Sequence, residues 1–462
     1  RLLGEDQAKK LTAGTFHSFC ARVLRTWGSW FCLDPDFTIY DQEDREAILA
    51  EIIADLRLAN KVHAAKVDPW RDSQDPYVND VISEYRYRLE RNNATDLDGL
   101  LHLVKDLLEN HKYVAELLRE RFTHVFIDEY QDTDEIQEAI LQEISPKNLF
   151  VVGDPSQAIY GWRGARIENI LTFEDRNPDA EAIRLEQNYR STIPILGLAN
   201  RVIAHAEHKS PLQLRTSKTG ALPTLLHAYT DADEALNISA KLQQVEKGSA
   251  ETWRNIAILC RTNAQVALYE TALDQAGIPT YLVSPRHDAL NAYDVRRVID
   301  YIAWFVNPKD ARAFRRIVNW PARRLTDTAM LEAERFALLQ SKDPFEALIN
   351  ASGIRDEESP PNDVWAGMPS LWKWTCSRLK LEESYTTKGL MNRVDELKRA
   401  TESIARWETR QAQLGEQTSP QAFLTWLMTR DVQERLVQER AEGVNILTVH
   451  AAKGLEFKHV IV

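Results

Sequence analysis

The chain has 462 residues, of which 44% are hydrophobic and 27% are charged, and its formal net charge is −12. This length gives room for three or four domains that each bury a core, and the composition is that of ordinary globular protein. No apolar run reaches the roughly 18 residues of a membrane span, and no signal peptide opens the chain. We therefore expect a cytoplasmic protein without a membrane partner. The acidic charge argues only weakly against nucleic acid, because basic groups act locally.

The four cysteines are scattered through the chain and form no Cys-x-x-Cys pair: Cys20, Cys32, Cys260 and Cys376. This pattern argues against a zinc or iron–sulfur site and against a disulfide framework.

The first hundred residues predict helices. A turn at Gly14 precedes Thr15 and Ser18, which are common N-cap residues, and a basic helix follows. The pattern from 26 to 95 is also helical. One apolar face there is marked by Ile48, Leu49, Ile52, Ile53 and Leu56.

Two apolar runs, His124 to Ile127 and Leu149 to Val152, predict buried parallel strands. The first is followed by Asp128-Glu129 and the second by Asp154. Ligands bind at the carboxyl ends of strands in open α/β sheets. One carboxylate there suits the magnesium ion of a polyphosphate, and the next can orient or deprotonate an attacking water. The simpler alternative is a sheet whose strands happen to end in acidic caps.

A group of polar and aromatic residues follows the second strand. Gln157 is a neutral amide that could contact a γ-phosphate, and Tyr160, Trp162 and Arg163 come shortly after it. Two aromatics and an arginine beside a phosphate site suit the stacking of unpaired bases. This neighbourhood favours the functional interpretation of the carboxylates.

Further strands are predicted later in the chain. Residues 183–185 predict a short strand, 255–260 a buried strand and 280–283 the start of another, and 445–449 predicts a last strand. Between the middle two, residues 263–276 predict a helix that ends at Gly277 as its C′ residue.

Residues 286 to about 440 are helix-rich, with a polar loop at 356–363. A basic cluster surrounds Trp320: Arg312, Arg315, Arg316, Arg323 and Arg324. The cluster could hold phosphates, but a solvated charged face is the interpretation we favour.

Five strings of the chain stand out: 126–133 (Phe-Ile-Asp-Glu-Tyr-Gln-Asp-Thr), 151–163, 186–191 (Glu-Gln-Asn-Tyr-Arg-Ser), 450–457 (His-Ala-Ala-Lys-Gly-Leu-Glu-Phe) and 15–18 (Thr-Phe-His-Ser). In this order they resemble motifs II, III, IV, V and Ib of the superfamily 1 DNA helicases of the UvrD, Rep and PcrA type.

The resemblance implies an α/β fold of two truncated RecA-like domains of the P-loop NTPase type, each with a parallel sheet and a helical insertion. Residues 1–25 and 96–192 would form the first domain and 26–95 its insertion. Residues 193–285 and 441–462 would form the second domain and 286–440 its insertion.

The resemblance also assigns roles to single residues. For catalysis it implies Glu129 as the base, Asp128 as the ligand of Mg²⁺, and Gln157 and Arg190 at the γ-phosphate. For ATP it implies Tyr189, Gly454, Glu456 and Arg261. For DNA it implies Thr15, Phe16, His17, Tyr160, Trp162, Arg163 and His450.

The printed residues contain no Gly-Lys dipeptide and hence no phosphate-binding loop. The chain begins with Arg1 and stops at Val462 inside an apolar run. We therefore expect a fragment of a longer helicase, which by itself does not hydrolyse ATP but retains weak binding of single-stranded DNA.

The whole protein is then expected to be an ATP- and Mg²⁺-dependent 3′–5′ DNA helicase or translocase of repair or replication restart. Its partners would be single-stranded DNA, single-strand/duplex junctions, and repair or replication proteins. Two alternatives stay open: the helicase portion of a helicase–nuclease, and a DNA-binding or regulatory module that does not hydrolyse ATP.

Overall fold

A computed structural model describes residues 11–206, 213–244, 253–282, 289–321, 326–340, 344–352, 360–430 and 443–462. The chain divides into two compact units. Unit 1 comprises Arg1–Val104 and Pro285–Asp431, and unit 2 comprises Lys105–Ser284 and Val432–Val462. Each unit therefore combines segments that are far apart in the sequence.

The described residues contain eight strands, and every pairing between them is parallel. In chain order they are β1 Thr38–Tyr40, β2 Ala94–Asp96, β3 His124–Ile127, β4 Asn148–Val151, β5 Ile256–Cys260, β6 Thr280–Leu282, β7 Val444–Thr448 and β8 His459–Ile461.

The described helices, in chain order, are α1 Phe16–Trp27, α2 Gln42–Asp55, α3 Pro76–Arg91, α4 Leu97–Asn110, α5 Lys112–Arg121, α6 Glu135–Ile144, α7 Glu168–Leu171, α8 Phe173–Arg176, α9 Ile193–Ile203, α10 Asp231–Gln243, α11 Asn263–Gln275, α12 Tyr293–Val306, α13 Ala311–Ile317, α14 Asp327–Leu339, α15 Pro344–Ser352, α16 Met368–Arg378, α17 Leu381–Thr387, α18 Met391–Leu414, α19 Pro420–Thr429 and α20 Val449–Ala452. Within the described part of the chain, no helix is both long and apolar enough to span a membrane.

In unit 1, strands β1 and β2 pair beside helices α2 and α3. The apolar face predicted for α2 is confirmed, since Ile48, Leu49, Ile52 and Ile53 are buried, whereas Leu56 lies beyond the helix end and is exposed. A fully extended three-residue strand cannot bury much surface alone, so this small sheet depends on the helices that pack on it.

A buried carboxylate connects the end of β2 to α3. Asp96 accepts hydrogen bonds from the Trp70 indole at 2.7 Å, the Tyr85 hydroxyl at 2.7 Å and the Gly99 amide at 2.6 Å. A Cβ on Gly99 would come within 2.3 Å of the Trp70 ring. The glycine therefore gives the indole the space it needs to reach Asp96.

The helices after residue 289 form the rest of unit 1. Helices α12, α16, α18 and α19 surround an apolar core that includes the fully buried rings of Trp372 and Trp407. Aromatic burial of this size supplies a large part of the driving force for a helical bundle.

The structure corrects the expectation of a solvated basic face around Trp320. Arg312 Nε lies 2.6 Å from Asp44 Oδ1, and Arg316 lies 2.5 Å from the same carboxylate and 3.0 Å from that of Asp300. Both carboxylates are buried. Buried carboxylates require charged partners, so these two arginines serve packing within unit 1 and do not form a solvated face.

In unit 2, strands β6, β7, β5 and β8 form one sheet in that order. Its core is buried against α10 and α11. The predicted strand at 255–260, the helix ending near Gly277 (φ 69°) and the strands near 280 and 445 are confirmed to within one or two residues.

Two expectations for unit 2 are wrong. Strands β3 and β4 are parallel but only partly buried, because Phe126 and Phe150 are 70% and 51% exposed on one face of their two-stranded sheet. A strand is buried on both faces only where both faces of its sheet are covered. Residues 183–185 form no strand, and the nearest pairing is an isolated bridge between Gln187 and Arg215.

Several expectations fall outside the described residues. These are the first ten of the hundred N-terminal residues predicted to be helical, half of the polar loop at 356–363, and the arginines Arg323 and Arg324.

Candidate functional site

The carboxyl ends of β3 and β4 meet at one edge of their sheet in unit 2. Ile127 is in register with Val151, which places Asp128 and Glu129 beside Asp154 as the sequence predicted. The edge is tightened by two backbone bonds, from Val152 N to Ile127 O and from Tyr130 N to Val152 O, each 2.8 Å long. The geometry that an α/β ligand site needs is therefore present.

Glu129 occupies the left-handed backbone region, with φ 52° and ψ 41°. This conformation is uncommon for a residue with a Cβ and is found where the surrounding structure enforces it, often at functional sites. Asp128 Oδ1 accepts a hydrogen bond from the Glu129 amide at 2.9 Å. Two constraints therefore orient the adjacent carboxylates: the left-handed backbone orients Glu129, and the hydrogen bond from the Glu129 amide orients Asp128.

A fully buried amide follows in the same turn. Gln131 Nε2 donates to Glu129 Oε2 at 2.5 Å, and Gln131 Oε1 accepts from the Asp154 amide at 3.0 Å. The side chain therefore joins the two acidic strand ends. Next to it, Gly153 leaves room that a Cβ would fill, since that atom would lie 2.5 Å from Gln131 Oε1.

The predicted phosphate-contacting amide is held by the carboxylate at the end of β4. Gln157 Nε2 donates to Asp154 Oδ2 at 2.9 Å, and Asp154 Oδ1 caps the short helix at Pro155–Gln157 by accepting from the Ser156 amide. The Gln157 side chain is thereby oriented from the same strand edge as Glu129.

Behind the turn, a second buried network supports it. The Tyr130 hydroxyl donates to Glu138 Oε2 at 2.5 Å, Arg176 pairs with the other oxygen of Glu138, and Phe173 packs edge-on against the Tyr130 ring. Burial and the neighbouring carboxylate raise the pKa of Tyr130 to about 12. The neutral phenol therefore stays a hydrogen-bond donor throughout the physiological range.

Lys453, in the segment that resembles motif V, reaches this edge. Its ammonium pairs with Asp132 Oδ2, donates to the Gln157 carbonyl at 3.0 Å and lies 3.5 Å from Glu129 Oε2. Burial raises the pKa of Asp132 although Lys453 opposes this shift. The other oxygen of Asp132 is buried without a hydrogen-bond partner.

The predicted base-stacking residues lie together. The Tyr160 hydroxyl donates to the His450 carbonyl at 2.8 Å, and the Trp162 ring stands edge-on to the His450 ring at 5.8 Å. The Arg163 guanidinium lies 4.8 Å from the centre of the Trp162 ring. Since Trp162 is 68% exposed, its face remains open to a base.

Two of the residues predicted to contact the nucleotide, Arg190 and Glu456, form an ion pair. Arg190 Nε lies 2.6 Å from Glu456 Oε1, three residues after Lys453. Gly454 has φ 78°, which favours glycine, and the Tyr189 ring is 83% exposed. Arg261 follows β5, where its amide donates to Gln265 Oε1 at 2.9 Å.

Thr15, Phe16 and His17 belong to unit 1. Thr15 caps α1, since its side chain accepts from the Ser18 amide, and its hydroxyl donates to the Thr429 carbonyl. The N-cap role is therefore confirmed, whereas the DNA contact remains a prediction.

Among the described residues no group of three or more His, Cys, Asp or Glu side chains could hold a metal ion. Magnesium is usually held by one or two carboxylates together with substrate phosphates and water. The single carboxylate of Asp128 at the strand edge therefore fits a magnesium ion that arrives with its nucleotide.

Sequence interpretation missed Gln131, Asp132 and Lys453 as members of the site. All three lie inside the quoted motif strings, one to three residues from a residue that was singled out. Their roles depend on burial, which no pattern of spacing shows for a polar residue.

Comparison with known proteins agrees with these strings. The family description "UvrD/REP helicase N-terminal domain" matches residues 1–178, and "UvrD-like helicase C-terminal domain" matches residues 183–462. Similar relatives include "ATP-dependent DNA helicase PcrA" of Staphylococcus aureus, 28% identical across 100% of this chain and 68% of the relative. The same protein of Leuconostoc citreum is 34% identical across 73% of this chain and 48% of its own length.

Proposed function

Because this chain belongs to the UvrD-like family of helicases, we propose that the protein is an ATP-dependent DNA helicase that translocates 3′ to 5′ along single-stranded DNA. The main support for this proposal is that one segment, residues 449–457, contacts both the acidic strand edge and the aromatic residues predicted to stack on bases. Within residues 449–457, Lys453 contacts Asp132 and the Gln157 carbonyl, and His450 contacts Tyr160 and Trp162.

In this proposal Glu129 orients and deprotonates the attacking water, because its carboxylate is fixed at the strand edge where Asp128 would hold the magnesium ion. When bound through Asp128, Mg²⁺ would neutralise charge on the phosphates. Gln157 would contact the γ-phosphate, and Arg190 would stabilise the charge that develops there.

On the DNA side, Trp162 and Tyr160 stack on bases, and Arg163 supports stacking and contacts phosphate. Lys453 donates to the Gln157 carbonyl. A γ-phosphate bound next to Gln157 would compete with this carbonyl for the Lys453 ammonium, and nucleotide binding would thereby move the segment 449–457 relative to the strand edge. Stacked bases would then shift with His450. We further propose that the protein binds single-strand/duplex junctions and acts in repair or replication restart.

The domain assignment also remains part of the proposal. The sheet of β5 to β8 supports a RecA-like second domain, and the edge of β3 and β4 supports part of a first one. The printed residues hold no Gly-Lys dipeptide, so we propose that this chain by itself does not hydrolyse ATP, since most of the grip on a triphosphate comes from such a loop.

The test replaces the proposed base in the full-length protein. Glu129→Gln should abolish DNA-stimulated ATP hydrolysis and leave binding of a fluorescent ATP analogue nearly unchanged, because the amide keeps the shape but cannot accept the proton. The matched control is Glu181→Gln, which alters an exposed glutamate of unit 2 and should keep wild-type activity.

Persistent hydrolysis in the Glu129→Gln variant would remove Glu129 from the proposed role. If the wild-type full-length protein bound DNA but not ATP, a DNA-binding or regulatory module would replace the helicase as the better proposal.

A further inference from the structure

Gln131 has a fixed orientation in the turn after β3. Its oxygen lies 3.0 Å from the Asp154 amide nitrogen, and its nitrogen lies 2.5 Å from Glu129 Oε2. A backbone N–H can only donate, so the amide oxygen must face Asp154. The NH₂ group must therefore face the carboxylate of Glu129.

We propose that Gln131 is the positioning residue of the catalytic carboxylate, which it holds through one oxygen so that the other can accept the proton of the attacking water. This inference rests on the proposed function. It extends that function because it assigns the orientation of Glu129 to a residue that is itself fully buried.

The two oxygens of Glu129 are used unequally. Gln131 Nε2 and Lys453 Nζ both approach Oε2, at 2.5 and 3.5 Å. Because both donors approach the same oxygen, the proton-accepting task falls to Oε1. A general base must lie within hydrogen-bond reach of the proton it removes, so a fixed carboxylate plane is part of its efficiency.

The local structure is arranged to keep the amide in place. Gln131 is fully buried, and a buried amide costs free energy unless both its ends are hydrogen-bonded. A Cβ at position 153 would lie 2.5 Å from its oxygen and 2.6 Å from Ile170 Cδ1. Gly153 thus leaves the space that the amide occupies.

The amide also links Glu129 to the predicted phosphate-contacting residue. Gln131 binds the backbone of Asp154, whose carboxylate accepts from Gln157 Nε2 at 2.9 Å. Asp154 therefore positions both residues. Its backbone amide holds Gln131, which in turn holds Glu129, and its carboxylate holds Gln157.

The test compares Gln131→Glu and Gln131→Met in the full-length protein. Both keep the side-chain length. General base catalysis supplies roughly 100- to 10,000-fold, so lost orientation should lower kcat roughly 10- to 100-fold in both variants, with KM for ATP within about twofold of wild type.

The split between kcat and KM separates positioning from packing. Distorted packing at the strand edge would weaken the binding of ATP together with turnover, whereas a misplaced carboxylate lowers kcat and leaves KM nearly unchanged. Gln244→Glu, on an exposed glutamine of unit 2, is the control and should match wild type.

A wild-type kcat in Gln131→Met, or a KM for ATP that rises in both variants as strongly as kcat falls, would overturn the proposal. If neither variant folds, as judged by circular dichroism, Gly153→Ala decides, because it displaces the amide without changing its chemistry and should lower kcat. A wild-type kcat for Gly153→Ala would then overturn it. Failure of the proposed function is distinct, since the wild-type protein itself would then lack ATPase activity.

Discussion

Lys453 supplies the positive charge that faces the carboxylates of Asp132 and Glu129 at the strand edge. Its ammonium is largely buried and pairs with Asp132, one oxygen of which has no hydrogen-bond partner. Removing one partner of a buried ion pair typically costs about 3 kcal/mol or more. We therefore predict that Lys453→Met lowers the free energy of unfolding by about 3 kcal/mol, as measured by urea denaturation of this chain.

The double variant Lys453→Met with Asp132→Asn should recover a large part of that loss, because the uncompensated charge is then removed as well. Lys458→Met, on an exposed lysine directly after the segment 449–457, should change the free energy of unfolding by less than about 0.5 kcal/mol. Equal losses in the single and double variants would show that Lys453 acts by packing alone.

Among the elements, β1 and α13 are joined by one buried hydrogen bond within unit 1. The Tyr40 hydroxyl donates to Asp310 Oδ1 at 2.8 Å, and the same oxygen caps α13 by accepting from the amides of Arg312 and Ala313. Hydrogen bonds to charged groups contribute about 1.5–3 kcal/mol. Burial, however, raises the pKa of Asp310.

We predict that Tyr40→Phe lowers the free energy of unfolding by about 2 kcal/mol, because Asp310 loses a partner that water does not replace. Thermal and urea denaturation of this chain measure the change. Tyr87→Phe, on a half-exposed tyrosine of α3, serves as the control and should be neutral. A neutral Tyr40→Phe would mean that the hydroxyl does not stabilise the junction of β1 and α13.

The elements also show which expectations the sequence could support. Strands β5 and β7 and helix α11 are predictable because apolar runs, an N-cap at Thr262 and Gly277 act locally. The shared edge of β3 and β4 follows from two similar strand endings. The pairing of Arg312 and Arg316 with Asp44 is not predictable, because these residues are more than 260 positions apart. Residues 183–185 are predicted to form a strand but do not, because a short apolar run forms a strand only where another strand pairs with it.

For the whole molecule, the net charge of −12 opposes the approach of a polyanion such as DNA. This repulsion argues only weakly against binding, because the cations at a site act locally. In unit 2, Arg163 lies beside the exposed Trp162 ring and near Tyr160. We therefore expect stacking, rather than many phosphate contacts, to supply most of the affinity for single-stranded DNA.

The salt dependence of binding distinguishes the two contributions. Each phosphate contact to a single strand adds about 0.7 to the slope of log K against log salt concentration. We predict that Trp162→Ala weakens binding of an oligothymidylate by about 1–3 kcal/mol and leaves the slope unchanged. Arg163→Gln should reduce the slope by about 0.7, because one phosphate contact is lost. Fluorescence anisotropy across a salt series measures both quantities.

Arg201→Gln is the matched control, since it removes one exposed positive charge on α9 of the same unit and should leave the slope within error of wild type. Arg163→Gln and Arg201→Gln change the net charge equally, but only Arg163 is proposed to contact a phosphate directly. A difference in slope between the two variants therefore reports the local contact. If Arg201→Gln reduced the slope as much as Arg163→Gln, the cations would act only through total charge. Unchanged affinity of Trp162→Ala at matched salt would exclude the Trp162 ring as a base-stacking surface, because an exposed ring that binds a base loses that contact on truncation.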